Sequence, residues 1–439
     1  MKPFSVAILG CGTVGSGVVK ILLDMGKALS DRSWRAIELR EIVDLLPGKN
    51  SEKYNIPRNL FCGGGKDLTK EEASKYVSEI IDDKEIDLVV ETIGGSSDYL
   101  LSVILSALNA KKHVVTANKA MLAEKGDVIF KTARENNVTL GCEASVCGAI
   151  PIIKTIRESF TGDEMLEISG IMNGTSNYIL SKMELEGIDF KSALRMAQKA
   201  GYAEADPTLD ITGGDAAQKL AILIRLAFGK EINHSDLMKE GIQGIEKEDI
   251  EFANEMDCTI KLICHAKKID GKIYAAVKPM MVKHDNFLAQ VHGATNCVEV
   301  INRYSGRHYF MGAGAGGLET ASSIVADIVF TARYGANVES IPASSQLEFV
   351  DADHFEFPYN ITFSTEDYPG VTGLVTTAIG ENKINIDTVS HNRHNKKNAV
   401  FSVVTMPCTM QQIKSAIASI REKSPDLLTD EPKAIPILQ

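Results

Sequence analysis

Long apolar runs, paired cysteines and an excess of positive charge are all missing from this sequence of 439 residues. No stretch approaches the ~18 apolar residues that a membrane-spanning helix needs, and the longest candidate, 220–228, contains Arg225. The eight cysteines lack a CxxC pair or zinc-type spacing, which favours free thiols in a reducing cytoplasm. With a net charge of −11 and no basic stripe, we expect neither nucleic-acid nor anionic-membrane partners.

The sequence does contain enough apolar material, 44% of its residues, for more than one core. Residues 1–142 alternate strand and helix patterns, which predicts an α/β domain with a doubly wound, Rossmann-type parallel sheet. Longer mixed segments over 143–311 predict an α+β domain. The polar segment 341–358 is predicted to be a linker. The β-α-β-β-α order within 359–439 indicates a small ferredoxin-like module.

A glycine-rich turn joins the first predicted strand to the first helix. Gly10 permits a tight turn, Gly12 lets a pyrophosphate approach the backbone, and Gly15 lets the helix pack on the strand. This context favours a dinucleotide site, while a purely structural glycine turn remains the alternative.

An acidic residue, Asp44, ends the second predicted strand. Its carboxylate would accept hydrogen bonds from a ribose 2′-hydroxyl, which favours NAD. Lys49 and Lys53 are near enough to leave NADP open, and a solvated aspartate in a turn is the simpler alternative.

The segment 201–219 concentrates acidic residues ahead of an apolar helix. Asp215 and Lys219 stand at i and i+4 on that helix, a spacing that usually gives only a weak surface ion pair. A partly desolvated lysine there would instead have a lowered pKa and act as an acid or base.

Lys119 closes another strand at the edge where α/β sheets bind ligands, although a solvated lysine at a helix start explains it equally well.

The segment 143–151 connects the first two predicted domains. Glu143 beside an irregular loop rich in carbonyl groups suits a hard cation. An ordinary crossover loop is the alternative.

Motifs along nearly the whole chain resemble the homoserine dehydrogenase family, in its monofunctional form with a C-terminal ACT domain. The order of NGTSNYIL, GYAEADP and GxDAAxK is especially specific. The matching stretches are LGCGTVGSGV (9–18), HVVTANKAML (113–122), EASVCGAIPII (143–153), GIMNGTSNYIL (170–180) and AQKAGYAEADPTLDITGGDAAQK (197–219).

The resemblance implies a role for each matching residue of the catalytic segment. Lys219 would donate the proton, with Asp215 as its companion acid. Glu204 would hold the substrate amino group, Asp210 would also bind substrate, and Lys119 would lie at the nicotinamide and the substrate.

The resemblance also implies the surroundings of the cofactor. The phosphate-binding turn would include Thr13 and Val14, Asn173 would line the nicotinamide side, and Gly316 would lie in a segment near 312–340 that returns to complete the nucleotide domain.

The resemblance also implies a monovalent cation, as a rule sodium, held at Glu143, Val146, Gly148 and Ile150. Two departures from the family pattern, Ala149 for glycine and Glu319 for proline, place the cation loop and the returning loop in question.

The C-terminal segment contains the turn Asp367-Tyr-Pro-Gly370 that is typical of ACT domains. Such domains commonly pair and bind an amino acid, so the resemblance implies a homodimer or homotetramer, dimerisation through 143–311, and feedback control by threonine. No aspartokinase module is expected before residue 4. A chain truncated near residue 345 is expected to stay folded and active.

The resemblance implies an NAD(P)-dependent oxidoreductase that interconverts L-aspartate 4-semialdehyde and L-homoserine, in threonine and methionine biosynthesis. One rival is aspartate-semialdehyde dehydrogenase, which needs a thiolate nucleophile with a histidine base, and no cysteine here has a convincing partner. The other is a catalytically silent amino-acid sensor, which would predict a damaged catalytic set.

Overall fold

A computed structural model describes residues 2–336, 347–392 and 399–438. The first part is a parallel sheet with the strand order β2-β1-β3-β4-β5, so the predicted doubly wound sheet is confirmed. Its strands are β1 (Phe4–Leu9), β2 (Ile37–Val43), β3 (Leu88–Glu91), β4 (His113–Thr116) and β5 (Leu140–Gly141). Its helices are α1 (Thr13–Ser33), α2 (Gly48–Lys53), α3 (Lys70–Asp82), α4 (Asp98–Asn109) and α5 (Lys119–Glu135). The sequence at 138–140 predicts a fifth strand there, but β5 begins two residues later, at Leu140.

The second part combines helices with a long antiparallel sheet. Its helices are α6 (Ile152–Lys154), continued by a π-helical turn (Thr155–Ser159), α7 (Gly174–Glu186), α8 (Phe190–Lys199), α9 (Thr208–Ile211), α10 (Gly214–Phe228), α11 (Lys247–Glu255) and α12 (Gly317–Tyr334). Its strands are β6 (Met165–Ile171), β7 (Met238–Lys239), β8 (Cys258–Ile269), β9 (Lys272–Lys283), β10 (Thr295–Asn302) and β11 (Gly306–Ala313). The strands β8 and β11 were not predicted.

The third part has the order βαββαβ around β14, α13, β15, β16, α14 and β18. Its elements are β12 (Glu348–Phe349), β13 (Glu356–Phe357), β14 (Tyr359–Thr365), α13 (Val371–Glu381), β15 (Ile386–Asn392), β16 (Ala399–Thr405), β17 (Cys408–Thr409), α14 (Met410–Lys423) and β18 (Lys433–Leu438). The strand order β18-β14-β16-β15 is that of a ferredoxin-like sheet.

The second and third parts share one continuous sheet. Strand β9 pairs in parallel with β18, where Ile437 lies opposite Met281, so the sheet runs from β11 to β15 without a break. The strand β12 also pairs with β9, and β13 pairs with β17. Residues 347–358 of the expected linker are therefore packed on the sheet, and residues 341–346 lie outside the described residues.

Helix α12 packs against α1 of the first part. A Cβ atom at Gly17 would lie 2.9 Å from the Gly317 carbonyl oxygen and 3.0 Å from Ala321 Cβ, so the two helices approach closely. Ala321, Ile324 and Ile328 share one buried core with residues of β1 and α1. This packing places the loop before α12 beside the glycine turn.

Candidate active site

The carboxyl ends of β1 and β3 meet where the strand order reverses, which is the usual ligand crevice of such sheets. Gly10 has φ 90°, and a Cβ atom there would lie 2.9 Å from the backbone of Thr92. A Cβ atom at Gly15 would lie 2.1 Å from the Gly10 carbonyl oxygen, whereas one at Gly12 would meet no protein atom within 4 Å. The fold itself thus needs Gly10 and Gly15, and the space beside Gly12 is open to a ligand.

Helix α1 begins at Thr13, directly after this turn, and Val14 is the next residue of its first turn. No side chain caps the helix at Gly12. The first backbone N–H groups therefore face the crevice without a side-chain acceptor, as anion binding at a helix start requires.

The Asp44 carboxylate lies against the glycine turn. One oxygen accepts a short hydrogen bond from the Cys11 N–H, and the other accepts one from the Leu46 N–H at 2.8 Å. Asp44 is half-buried, so it is not simply a solvated turn residue. The Lys53 ammonium lies 5.0 Å from the centre of the Tyr54 ring, while the Lys49 side chain is not among the described groups.

Asp215 is the centre of a buried charge cluster. Its two carboxylate oxygens lie 2.8 Å from Lys219 Nζ and 3.2 Å from Lys119 Nζ. Both Asp215 and Lys219 belong to α10, and Lys119 begins α5 directly after β4. Only 7% of Lys219 is exposed, so the alternative of a surface ion pair is wrong.

The pKa of Lys219 is raised, not lowered as the sequence suggested. Burial alone lowers it, but the charge of Asp215 and its hydrogen bond more than compensate. Conversely, burial raises the pKa of Asp215, and the charges of Lys219 and Lys119 pull it well below its usual range. The pair is therefore a buried carboxylate with a buried ammonium group, the form from which a lysine donates a proton.

Two further groups of the segment before α7 complete the cluster. Lys219 Nζ donates a hydrogen bond of 2.6 Å to the Met172 carbonyl oxygen. The Asn173 amide donates to Asp210 at 2.7 Å and to Asp215 at 2.8 Å. The sequence indicated neither contact. The feature that could have pointed to them is Asn173 at the start of a helical pattern, where asparagine is a favoured cap.

Glu204 is exposed, and its carbonyl oxygen accepts a hydrogen bond of 3.2 Å from Gln198 Nε2. Among the described contacts, none joins the Glu204 carboxylate to Lys219, Lys119 or Asp215. The structure thus brings together Asp210, Asp215, Lys219 and Lys119 but leaves the side chain of Glu204 outside their hydrogen-bond network.

The loop expected to hold a cation contains several internal hydrogen bonds. The Glu143 carboxylate accepts from the N–H groups of Ile153 at 2.8 Å and Lys154 at 2.7 Å. The carbonyl oxygens of Gly148 and Ile150 accept from the Ser323 hydroxyl and the Ile152 N–H. Each carbonyl oxygen has two lone pairs, so one hydrogen bond leaves room for a cation, and the cation site stays a prediction.

Burial and the neighbouring Asp327 raise the pKa of Glu143 to about 7, against the opposing effect of its two backbone donors. The same loop shows positive φ at Cys147 and Gly148, not at Ala149, so the replacement of the family's glycine by Ala149 causes no strain.

The loop before α12 returns to the glycine turn. A Cβ atom at Gly317 would lie 3.0 Å from the Thr13 carbonyl oxygen. Gly316 has φ 130°, and the Glu319 carboxylate folds back over it, 2.3 Å from where a Cβ atom would stand. Glu319 stands in the first turn of α12, where a negative charge is favourable, so it replaces the family's proline without breaking the helix start.

Reactive thiols are not found near this cluster. All eight cysteines are free, and burial raises the pKa of Cys147 and Cys264, the two thiols that interact electrostatically with Lys219 and Asp215. A thiolate nucleophile, which the aspartate-semialdehyde dehydrogenase alternative requires, therefore has no support here. Within the described residues, no group of three or more His, Cys, Asp and Glu side chains is arranged to hold a metal ion.

A search of the described helices found none that combines the length and the apolar character needed to cross a membrane.

Comparison with known proteins agrees with this geometry. Residues 10–143 match the family "Homoserine dehydrogenase, NAD binding domain", and residues 151–329 match the family "Homoserine dehydrogenase". The homoserine dehydrogenase of Neisseria gonorrhoeae is 35% identical over 430 residues, covering 96% of this chain and 95% of that protein. The homoserine dehydrogenase of Helicobacter pylori is 35% identical over 440 residues, covering 99% of each.

A solved homoserine dehydrogenase from Thiobacillus denitrificans superimposes with a TM-score of 0.90 at 32% identity, covering 100% of this chain and 99% of that one. The sequence and the fold thus both match homoserine dehydrogenases. The chain belongs to the homoserine dehydrogenase family of NAD(P)-dependent oxidoreductases.

Proposed function

We propose that Lys219 is the proton donor when this enzyme reduces L-aspartate 4-semialdehyde to L-homoserine, and the proton acceptor in reverse. The observation that carries the proposal is the buried ion pair of Lys219 with Asp215 at 2.8 Å. A buried ammonium group next to a developing alkoxide stabilises the negative charge and supplies the proton. Asp215 keeps Lys219 charged and oriented until that moment.

We assign the substrate to the space in front of Lys119 and Lys219. Lys119 has 36% of its side chain exposed, so it can turn from Asp215 to neutralise charge near the substrate carbonyl. Asp210 and Glu204 are the carboxylates that would receive the substrate ammonium group. Because Glu204 is exposed, we propose that its side chain reaches the ammonium group only when substrate is bound.

The cofactor in this proposal is a nicotinamide dinucleotide, which supplies or accepts the hydride when bound. Gly10, Gly12, Thr13, Val14 and Gly15 would hold its pyrophosphate at the start of α1, with Gly316 closing the site. A hyperthermophilic archaeal homoserine dehydrogenase, 25% identical with a TM-score of 0.62, was solved as a mutant in complex with NADPH.

We propose NAD as the preferred cofactor of this chain, because the Asp44 carboxylate would accept from the ribose hydroxyl and repel a 2′-phosphate. Asp44→Ser combined with Leu45→Arg should shift the ratio of kcat/KM values toward NADP. Leu45 is 40% exposed, so an arginine is sterically tolerated there. A wild-type enzyme that already uses NADP at least as well as NAD would refute the assignment.

Oxidation of L-homoserine, followed by NADH or NADPH formation at 340 nm, is the direct test of the activity. Turnover with homoserine supports the proposal. Phosphate-dependent turnover of L-aspartate 4-semialdehyde would favour the thiol-dependent dehydrogenase instead. Inactivity with both substrates would favour the silent sensor.

The C-terminal ferredoxin-like module is proposed to act as an ACT domain that pairs with a second copy and binds threonine. Supporting this, the turn Asp367–Gly370 is exposed and ends at Gly370, which has φ 96° and begins α13. A homodimer or homotetramer in the cytoplasm follows from this assignment and from the free thiols. Calorimetry without heat from threonine, methionine, lysine or homoserine, together with unchanged activity, would leave the module only a structural role.

A further inference from the structure

Asn173 is a neutral side chain that contacts both carboxylates of the buried cluster. It is 4% exposed and lies at the start of α7. Its amide nitrogen lies 2.7 Å from Asp210 Oδ1 and 2.8 Å from Asp215 Oδ2. Each of the two amide hydrogens thus has one carboxylate acceptor.

The orientation of this amide is fixed by the helix. Asn173 Oδ1 accepts a hydrogen bond of 2.8 Å from the Ser176 N–H and so caps α7. Because a backbone N–H can only donate, the oxygen must face the helix and the nitrogen must face the two aspartates. Helix capping and carboxylate binding are therefore two functions of opposite ends of one side chain.

Asp210 and Asp215 carry like charges in a buried place. Burial raises the pKa of Asp210, and the negative charge of Asp215 raises it further. The Asn173 donor opposes this rise at both groups. Without that donor, one carboxylate would be protonated more easily, and Asp215 would lose one of the contacts that hold it between Lys219 and Lys119.

We infer that Asn173 is a positioning residue for catalysis. Its amide keeps Asp210 and Asp215 ionised and apart, so that Asp215 bridges Lys219 and Lys119 while Asp210 is free to meet the substrate ammonium group. The inference rests on the proposed function of Lys219 and adds a requirement to it: the proton donor works only while Asn173 fixes its aspartate.

The charged groups around Asp215 come from three elements. Lys219 extends from α10, Lys119 from α5, and Asp210 from α9. Two buried thiols, Cys147 and Cys264, also interact electrostatically with Asp215, and burial raises the pKa of each, so they stay neutral. In aldehyde reduction Lys219 must be protonated and so determines the basic limb, which leaves the acid limb in that direction to report on carboxylates such as Asp210 and Asp215.

Two substitutions of Asn173 separate its two functions in the full-length enzyme. Asn173→Ser keeps a capping oxygen but lacks the amide donor, and Asn173→Asp keeps the shape and the cap but adds a third carboxylate. A hydrogen bond to a charged group has a strength that corresponds to about a 10- to 100-fold change, so kcat should fall by that factor in the serine variant. It should fall further in the aspartate variant, with KM for homoserine less affected.

The pH profile is the readout that a purely structural cap would not move. The acid limb of kcat/KM for aldehyde reduction should shift to higher pH in Asn173→Ser and further in Asn173→Asp, because both variants raise the pKa of the aspartates. Asn286→Ser is the matched control, since Asn286 caps a turn by accepting from the Leu288 N–H at 2.9 Å and touches no carboxylate of the cluster. It should leave kcat and the profile unchanged.

Two results would overturn the inference. One is an unchanged kcat and pH profile in Asn173→Ser, and the other is a lower melting temperature as the sole effect of both Asn173 variants. If Lys219→Met remains fully active, the proposed function fails instead, and if Lys219→Met is inactive while Asn173→Ser is normal, only the role of Asn173 is refuted.

Discussion

At the scale of single residues, the central feature is an ammonium group that remains charged although it is buried. Lys219 owes this to Asp215 and to the Met172 carbonyl oxygen, which both accept from its Nζ atom. An unpaired lysine in the same place would lose its proton because of desolvation. The pair therefore has to be treated as one unit in any mutational test.

Lys219→Met should reduce kcat by about 10²- to 10⁴-fold, the usual contribution of a general acid, with little change in KM for homoserine. Steady-state kinetics of homoserine oxidation measures both values. Lys182→Met is the control, because Lys182 forms a similar i,i+4 pair with Glu186 but on the outside of α7. Near-normal turnover of Lys219→Met would exclude it as the proton donor.

Asp215→Asn should move the basic limb of the pH profile for aldehyde reduction to lower pH. In the wild type the negative charge of Asp215 raises the pKa of Lys219, so the protonated donor persists to high pH. Without that charge, burial dominates and the pKa of Lys219 falls, so activity is lost earlier as pH rises. A basic limb that does not move would mean that another group determines it.

At the scale of elements, different glycines of the turn between β1 and α1 serve folding and cofactor binding. Gly12→Ala should leave the free energy of unfolding within about 0.5 kcal/mol, because its Cβ atom would meet no protein atom within 4 Å, yet weaken NADH binding. Gly15→Ala should destabilise the protein itself, because its Cβ atom would lie 2.1 Å from the Gly10 carbonyl oxygen.

Thermal unfolding and NADH fluorescence titration together measure both effects of these two variants. If Gly12→Ala binds NADH as tightly as the wild type, the pyrophosphate does not approach that face of the turn.

Elements with a regular pattern were predictable from the sequence, and elements with buried polar residues were not. Strand β1, its glycine turn and helix α14 show clear periodicity and were placed correctly. Strand β8 was missed because Lys261 and His265 interrupt its apolar pattern, although both are buried in the structure. Strand β18 was missed because Pro436 lies within it, a residue that usually argues against a strand.

The candidate site was predictable only in part for a similar reason. Residue types and spacing identified Asp215 and Lys219 as a pair, but spacing alone cannot show whether a pair is buried. Burial lowers the pKa of Lys219 as expected, and the close charge of Asp215 outweighs it, so the net direction is reversed. The contact between Asn173 and the two aspartates joins segments that are distant in sequence, so it exists only in the folded chain.

At the scale of the whole molecule, the shared sheet changes what truncation should do. Removing residues 347–439 would take away β12 and β18, two of the strands that pair with β9, and uncover buried side chains such as Tyr274, which packs against Phe355 and Phe357. We therefore expect a truncated chain to be destabilised by more than the ~4–5 kcal/mol of the most severe point mutations, and to aggregate.

Size-exclusion chromatography and thermal unfolding of the truncated chain measure this outcome. A monodisperse truncated enzyme with an unchanged melting temperature would show that the nucleotide-binding and catalytic parts fold without the C-terminal module. Control by an amino acid is therefore better tested in the full-length enzyme.

The pairing of Ile437 with Met281 also determines when the shared sheet can finish forming during synthesis of the chain. On the ribosome, β9 emerges long before β18, and until residues 433–438 follow, the β9 edge carries unpaired backbone groups. Contacts between segments so distant in sequence form slowly, because a long loop must close first. The nascent chain therefore passes through a stage in which its nucleotide-binding part can already be folded while its catalytic sheet still needs protection from other nascent chains.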